Sequence, residues 1–294
     1  MATVPAFGIS PQQQKSPKQS PATSQADLGE VTVEQNVLYG SVQGTELRLD
    51  VYQPAVDQGT ASRPAVLLIH GGGWVSFDKS TMRGMGQFLA RNGFVAFAVD
   101  YRLFQGTKNR WPVQLDDVQR AVRWVRAHAS KYNVNPDRIG AFGHSAGAQL
   151  AALLGMEDTR DNSDPELAKY SSRVQAVVEV SGPTDLTVQD DPEGTIFLTG
   201  FFGVDYAKQP AVWQDASPVF HVNKHDAPFL IVHGTKDDDV PIAQAQELYD
   251  KLHAAGVQVK FVKVDDVHTF ETPSARRELA IDTLEFFKEY VAGV

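Results

Sequence analysis

The sequence RIGAFGHSAGAQLAALL, residues 138–154, decides how the rest of the chain is interpreted. Its first residues are apolar, GHSAG follows at residues 143–147, and its last residues have the composition of a helix. This pattern predicts a strand, an abrupt turn and a helix, with Ser145 at the apex of the turn. A strained backbone there would present the serine hydroxyl above the sheet edge, and flanking glycines fit because a Cβ would collide with the neighbouring strand or helix. The alternative interpretation is a glycine-bounded turn with an incidental serine.

The composition is that of an ordinary globular protein with a sizeable core. The chain has 294 residues, of which 42% are hydrophobic and 21% charged. A net charge of −9 argues against nucleic acid or an anionic membrane as the main partner. We expect no membrane span, because no apolar stretch approaches the roughly 18 residues that a spanning helix needs. The sequence has no cysteine, which excludes disulfides, thiolate metal sites and cysteine nucleophiles.

The chain is predicted to consist of a tail and one domain. Residues 1–27 are rich in Gln, Ser, Pro and Ala, which predicts a disordered tail, and they lack the apolar core of a signal peptide. Residues 28–294 show neither an internal repeat nor an interdomain linker, so a single domain is expected there.

Apolar runs alternate with helical patterns along this domain. Strands are predicted at 31–39, 47–52, 65–69, 94–99, 138–142, 174–180, 229–232 and 257–264, and helices at 80–92, 112–130, 148–154, 242–255 and 276–291. The first two strands should form a hairpin with Gly40 and Gly44 in the turn. Residues 184–224, which we name the cap segment, show little regular pattern and are interpreted as a small cap or insertion over the sheet edge. The alternation predicts an α/β fold whose mostly parallel sheet is covered by helices on both faces.

A serine nucleophile needs a base, and the base needs an orienting carboxylate. Of the eight histidines, most adjoin glycine motifs or lie in predicted helices and polar loops, and His233 ends a strand. His268 lies just past the last apolar strand, where functional groups collect in open α/β sheets. It is also C-terminal to a credible acid, so His268 is the predicted base.

The acid is sought in the run DDD at residues 237–239, which also follows a strand. Asp239 fits a solvated turn before the helix near Pro241, so Asp237 is the predicted orienting carboxylate. The order Ser145, Asp237, His268 is then the Ser, Asp, His order of the α/β-hydrolases. A run of three aspartates can bind calcium, but it more often forms a solvated turn. We expect no metal site and no cofactor, since H-E-x-x-H and cysteines are both absent.

Acyl transfer also needs donors for the developing oxyanion. The N–H of Ala146 can supply one, directly after the serine. The run HGGGW at residues 70–74 follows a buried strand, and its glycines allow the backbone to approach a substrate oxygen. Gly72, Gly73 and Ala146 are therefore the predicted oxyanion hole.

These motifs resemble those of the α/β-hydrolases, and more narrowly the hormone-sensitive-lipase-type esterases and the bifunctional acetylxylan/feruloyl esterases (BD-FAE). The matching motifs run in order from about residue 36 onward: HGGGW at 70–74, DYRL at 100–103, NPDRI at 135–139, GHSAG at 143–147, GPTDL at 182–186, ASP at 216–218 and HG at 233–234. The resemblance implies an α/β-hydrolase fold, the triad Ser145, His268 and Asp237, and the oxyanion hole named above. Two positions depart from it: Val267 stands where a glycine is usual, and Phe104-Gln105 where a small residue and proline are frequent.

The expected function is hydrolysis of carboxylic esters through an acyl-enzyme. The resemblance favours short-chain acyl or aromatic esters (feruloyl or acetyl), either small or linked to a polysaccharide, and a periplasmic or secreted location. Six residues are candidates for substrate binding: Trp74, His144, Phe201, Phe202, Trp213 and Val240. For the aromatic residues of the cap segment, simple packing onto the sheet is an equal alternative. An amidase of the arylformamidase type and a non-catalytic binding protein with a hydrolase fold are the other functions considered.

Overall fold

The computed structural model of the chain describes residues 29–55, 62–189 and 191–293. The predicted disordered tail, residues 1–27, lies outside the described residues. Within them, no helix combines the length and apolarity needed to cross a membrane.

One eight-stranded sheet organises the fold, in the order β1-β2-β4-β3-β5-β6-β7-β8. Its strands are β1 (Val31–Val42), β2 (Thr45–Pro54), β3 (Arg63–Ile69), β4 (Val95–Val99), β5 (Val134–His144), β6 (Ala176–Val180), β7 (Phe229–Gly234) and β8 (Val259–Val264). The β1–β2 and β2–β4 pairs are antiparallel and the other five are parallel. Strands β4, β6 and β7 are buried along their whole length, as their continuous apolar sequences predict. The predicted mostly parallel sheet is confirmed.

The opening hairpin differs from its prediction in where the turn lies. Strand β1 continues through Gly40 to Val42, and the turn falls at Gln43 and Gly44, both with positive φ. Gly40 is instead inside the strand, where the pairing shifts register. A Cβ at Gly40 would lie 2.8 Å from Cδ of Arg120, so close packing against that side chain explains the glycine.

Helices cover both faces of the sheet. They are α1 (Arg83–Arg91), α2 (Val113–Ala127), α3 (Ala146–Met156), α4 (Pro192–Phe202), α5 (Pro210–Asp215), α6 (Ile242–Ala254) and α7 (Pro273–Phe287). Helices α2, α3 and α6 pack on one face, together with strand residues such as Leu67 and Ile69. Helices α1 and α7 pack on the other face, together with the alternate residues Val66 and Leu68. Ser145 lies between the two layers, at the carboxyl end of β5.

The cap segment is more regular than the sequence indicates, because it contains α4 and α5. Helix α4 begins after Asp191, whose side chain accepts the N–H groups of Glu193 and Gly194 at 3.1 and 2.8 Å. It ends at Gly203, which has φ 74°. The sequence PEGTIFLTGFF is apolar on most sides of this helix, so no polar stripe marks it as helical.

Candidate active site

The turn at residues 143–147, which we name the elbow, joins β5 directly to α3. Ser145 is its single residue between the two elements and has φ 55° and ψ −125°. A non-glycine residue in this conformation carries strain of about 1–3 kcal/mol, which the surrounding structure must hold. The Ser145 N–H donates to the carbonyl of Val180 at 2.8 Å, and its carbonyl accepts the N–H of Ala148 at 2.8 Å. These bonds fix the serine at the sheet edge.

The elbow glycines are required by packing, as predicted. A Cβ on Gly143 would lie 2.1 Å from the carbonyl oxygen of Gly147. A Cβ on Gly147 would lie 2.3 Å from the carbonyl oxygen of Ile69 on β3. Both obstacles are backbone atoms, which cannot move aside as a flexible side chain would.

His268 and Asp237 come together from neighbouring loops beyond the carboxyl ends of β8 and β7. Nδ1 of His268 lies 2.7 Å from Oδ2 of Asp237. Because a carboxylate only accepts, Nδ1 carries the hydrogen and Nε2 is left with a lone pair. His268 lines the same cavity as Ser145. The structure thus brings the three predicted triad residues to one edge of the sheet.

The side chain of Asp237 is fully buried and has four close polar contacts. Oδ1 accepts the N–H groups of Asp239 and Val240 at 3.0 and 2.8 Å, and Oδ2 accepts the Nδ1–H of His268 and lies 3.2 Å from Nε2 of His233. Burial alone would raise the pKa of Asp237, but the hydrogen bonds from the two histidines and Val240 hold that pKa well below its usual range. Asp237 is therefore a carboxylate at every pH near neutrality.

The run at residues 70–74, which we name the glycine loop, packs against the elbow. A Cβ on Gly71 would lie 2.9 Å from the carbonyl oxygen of His144 and 3.1 Å from Cβ of Ser145, so the glycine allows this close approach. Gly72 and Gly73 have φ 105° and 58°. Among the described residues, the N–H groups of Gly72, Gly73 and Ala146 donate to no protein acceptor. All three residues line the cavity that holds Ser145.

That cavity has a volume of about 940 Å³ and is lined mostly by apolar side chains. Three of the six predicted substrate-binding residues line it, namely Trp74, His144 and Val240. Its wall on the α1 and α7 side was not predicted and consists mainly of Phe77, Met82, Met85, Phe88, Phe142, Phe270, Leu279 and Ala280. The helices that carry part of this wall were predicted, but nothing in the sequence indicates which of their apolar residues face a cavity instead of the core.

The structure places the other three predicted substrate-binding residues outside the cavity lining. Phe201, Phe202 and Trp213 are buried in the core of the cap segment. Phe201 stacks on Trp74 with ring centroids 4.9 Å apart, and Phe202 packs against Trp213 at 4.7 Å. Phe104, one of the departures from the family pattern, packs against Phe201 at 5.6 Å. These aromatics anchor the cap to the sheet, which is the alternative that the sequence left open.

Two further histidines shape the loops around the site. His70 stacks on Tyr101 with centroids 4.3 Å apart, and its Nδ1 lies 2.7 Å from the carbonyl oxygen of Gly71. Nε2 of His144 lies 2.9 Å from the carbonyl oxygen of His268, which ties the elbow to the histidine loop. Burial lowers the pKa of both His70 and His144, so they are neutral donors at pH 7.

The described residues contain no group of three or more His, Cys, Asp or Glu side chains arranged to hold a metal ion. The residues around the cavity offer a serine hydroxyl, an imidazole, a buried carboxylate and three backbone N–H donors.

The sequence matches a family model that fits this arrangement. The model of the BD-FAE family matches residues 49–252, which contain the glycine loop, the elbow and Asp237. The chain belongs to the BD-FAE family. Its sheet order and covering helices are those of an α/β-hydrolase fold, and the resemblance stated from the motifs is confirmed.

Several esterases are similar to this BD-FAE member. Esterase LipC of Mycobacterium tuberculosis is 32% identical over 225 residues, a match that covers 74% of this chain and 54% of LipC. The chain thus spans about half the length of the mycobacterial relatives that it matches. The thermophilic esterase Est2 of Thermogutta terrifontis, in its butyrate-bound structure, is 26% identical with a TM-score of 0.76, covering 90% of this chain and 95% of Est2. A truncated carbohydrate esterase from gut microbiota is 28% identical with a TM-score of 0.75, covering 91% and 98% of the two chains.

Proposed function

We propose that this BD-FAE member hydrolyses carboxylic esters, with Ser145 as nucleophile, His268 as general base and Asp237 as the orienting acid. One observation carries the proposal: His268, bonded to Asp237 at 2.7 Å, lines the same cavity as the strained Ser145. The esterases among its relatives support the same chemistry. An incidental serine in a glycine-bounded turn would not need a buried carboxylate and an imidazole beside it.

In the first half of the reaction, Nε2 of His268 takes the Ser145 proton as the hydroxyl oxygen attacks the ester carbonyl carbon. The tetrahedral oxyanion is stabilised by the free N–H groups of Gly72, Gly73 and Ala146. One such donor is typically worth about 3–4 kcal/mol of transition-state stabilisation. The imidazolium then gives its proton to the leaving alkoxide as the ester C–O bond breaks, which releases the alcohol and leaves Ser145 acylated.

In the second half, His268 takes a proton from water as the water oxygen attacks the acyl-enzyme carbonyl. Collapse of this second tetrahedral species returns the proton to Ser145 and releases the carboxylic acid. Throughout, Asp237 holds the Nδ1–H tautomer of His268 and stabilises its charged form. Its low pKa suits this role because it stays ionised over the working range of the base.

For the substrate, we propose esters with a short or aromatic acyl group, acetyl and feruloyl included. The butyrate bound to Est2 supports a short acyl group, and the carbohydrate esterase supports an alcohol carried on a sugar. An aromatic acyl group would suit the apolar cavity wall, where Phe77 lines the cavity beside the glycine loop with 66% of its surface exposed. The polysaccharide link remains part of this proposal.

The test is steady-state hydrolysis of 4-nitrophenyl acetate, butyrate and octanoate and of methyl ferulate by the wild type and Ser145→Ala. We expect the wild type to favour the acetyl, butyryl and feruloyl esters, and Ser145→Ala to lose roughly a thousandfold or more in kcat. The matched control is Ser163→Ala, an exposed serine outside the cavity lining, which should keep full activity. Activity retained by Ser145→Ala would refute the triad, and hydrolysis of an aryl formamide but of no ester would favour the amidase alternative.

A further inference from the structure

A second histidine contacts the carboxylate that orients His268. Nε2 of His233 lies 3.2 Å from Oδ2 of Asp237 and 2.9 Å from the carbonyl oxygen of Val240. Both neighbours are acceptors, so the hydrogen of His233 must reside on Nε2. His233 ends β7, and Val240 lies at the far end of the loop that carries Asp237. The single N–H therefore bridges the two ends of this loop and contacts the carboxylate between them.

Behind His233 lies a buried glutamate that the proposed reaction does not use. Glu179 of β6 is fully buried, and its Oε1 accepts the N–H of Gly182 at 2.6 Å. A Cβ on Gly182 would lie 2.1 Å from that oxygen, so the glycine is what makes room for the carboxyl group. Strands β6 and β7 pair in parallel with Glu179 opposite Ile231. Because side chains alternate along a strand, Glu179 and His233 project to the same face of the sheet.

Three buried polar atoms at the carboxyl ends of β6 and β7 have no protein partner among the described residues. They are Oε2 of Glu179, Oγ of Ser181 and Nδ1 of His233. Unpartnered buried polar atoms are costly and rare in folded proteins, and one of these belongs to His233, which contacts the acid of the site. The neighbours of Glu179 and His233 on the same face of β6 and β7, Val177 and Ile231, are apolar and fully buried.

We propose that His233 is a positioning residue that holds Asp237 in place for His268, and that Glu179 holds His233 in turn. This inference rests on the proposed triad and extends it by two buried residues. The Nε2–H of His233 limits Asp237 to one orientation, with Oδ2 directed at His268. Glu179 supplies a carboxyl group behind the ring, and its ionised form favours a donor tautomer or a charged imidazole facing Asp237.

The charges around His233 agree with this arrangement of Glu179, His233 and Asp237. Burial would lower the pKa of His233, but Asp237, Glu179 and the Val240 carbonyl raise it overall. Burial raises the pKa of Glu179 to about 7, against the opposing effects of His233 and the Gly182 N–H. On β8, Lys263 is paired with His233 in register, but its Nζ is bonded to Gln246. The other titratable rings near this group are His268 and His144.

The test compares kcat, KM and the pH profile of kcat/KM for three variants on 4-nitrophenyl butyrate. His233→Leu removes the donor at similar volume, whereas His233→Gln keeps an N–H at a similar reach. We expect His233→Leu to lose roughly 10- to 100-fold in kcat with little change in KM, because small misplacements of a catalytic group cost about that much. His233→Gln should recover most of the loss. Losing a donor to Asp237 leaves its charge less balanced, so the acid limb of the His233→Leu profile should move to higher pH.

The third variant, Glu179→Gln, tests whether the two residues act in series. Alone it should lower kcat several-fold, but added to His233→Leu it should cause no further loss, since Glu179 acts through His233. The matched control is His221→Leu, because His221 also contacts a carboxylate, Glu157 at 2.8 Å, and a carbonyl, Asp215 at 2.9 Å, but lies outside the cavity lining. It should keep kcat and the pH profile.

The outcomes separate this inference from the proposed function. If Ser145→Ala or His268→Ala stays active, the proposed function fails. If both are inactive but His233→Leu keeps the wild-type kcat and pH profile, only the role of His233 is refuted. If His233→Leu and His233→Gln are equally impaired, or the losses of Glu179→Gln and His233→Leu multiply, the positioning chain is wrong and these residues support only the fold.

Discussion

The three consecutive aspartates at residues 237–239 differ in role because their surroundings differ. Asp237 is buried and saturated with hydrogen bonds, whereas Asp238 and Asp239 are exposed at the surface of the same loop. Asp239 donates its N–H to Asp237 and lines the cavity. Residue type does not distinguish the three aspartates. The prediction that Asp237 is the orienting carboxylate rests on its place just beyond the strand end. Its pairing with His268 agrees with that choice.

The first prediction follows from this difference. Asp237→Asn should lower kcat by roughly four orders of magnitude, because an amide that donates to Nδ1 stabilises the wrong imidazole tautomer. Asp238→Asn is the matched control and should stay within about twofold of the wild type, as expected of an exposed side chain. Steady-state kinetics on one ester measure both. Comparable losses in the two variants would mean that the acid is shared or misassigned.

The second prediction concerns the stability contributed by Glu179. Its pKa is raised to about 7 from an ordinary 4.5, because the carboxyl group is buried. Between these values the folded state keeps a proton that the unfolded state has lost, so the free energy of unfolding falls as pH rises through this window. A shift of this size corresponds to about 3 kcal/mol. Glu179→Gln cannot ionise, so its stability relative to the wild type should increase from pH 5 to pH 8.

Urea unfolding at pH 5 and pH 8 measures this difference. Glu193→Gln, an exposed change in the first turn of α4, is the control and should alter stability equally at both pH values. A constant difference for Glu179→Gln would contradict a raised pKa. A variant that is more stable at pH 8 and yet less active would mark Glu179 as a residue kept for function at a cost in stability.

At the scale of the element, helix α4 explains why the cap aromatics lie outside the cavity lining. Phe201 is fully buried and contacts the rings of Trp74, Phe104 and Trp111. Trp74 belongs to the glycine loop, and its Nε1 also donates to Gln149 of α3 at 3.1 Å. The helix therefore packs against the glycine loop through Trp74.

The third prediction tests this packing role. Phe201→Ala should destabilise the protein by about 3–5 kcal/mol, the usual cost of emptying a buried phenylalanine site. Ile196→Ala lies on the same helix, is 74% exposed, and should change stability by less than about 0.5 kcal/mol. Chemical unfolding of both variants gives the comparison. If Phe201→Ala left stability unchanged but raised KM, the ring would contact substrate after all.

The elements differ in how well the sequence predicts them. Buried parallel strands such as β6 and β7 are continuous apolar runs with turn signals at their ends, so their positions along the chain follow from the sequence. Helix α4 was missed because its apolar residues surround it, which leaves no helical period to detect. His233 was noticed only as the end of a strand. Its contact with Asp237 depends on a loop closure that residue types and spacing do not reveal.

At the scale of the whole molecule, the two faces of the sheet carry different parts of the site. The cavity wall formed by Met85, Phe88 and Leu279 belongs to the face covered by α1 and α7. Glu179 and His233 project to the opposite face, where their neighbour Ile231 packs with the layer of α2, α3 and α6. Ser145 lies at the edge where the two layers meet. Changes on the first face should therefore alter substrate preference, and changes on the second should alter kcat and its pH dependence.

The fourth prediction uses this separation to measure acyl-chain selection. Leu279→Trp adds bulk to the cavity wall and should lower kcat/KM for 4-nitrophenyl octanoate roughly tenfold more than for the acetate, because a long acyl chain needs space that a short one does not. Ile281→Trp adds the same ring two residues along α7, on a side chain that is 42% exposed and outside the cavity lining, and should leave the ratio unchanged. The pH profile should be unaffected in both variants, since neither touches Asp237 or His268. Equal losses on acetate and octanoate would show that the acyl group lies elsewhere in the cavity, and the wall formed by α1 and α7 would then face the alcohol of the ester.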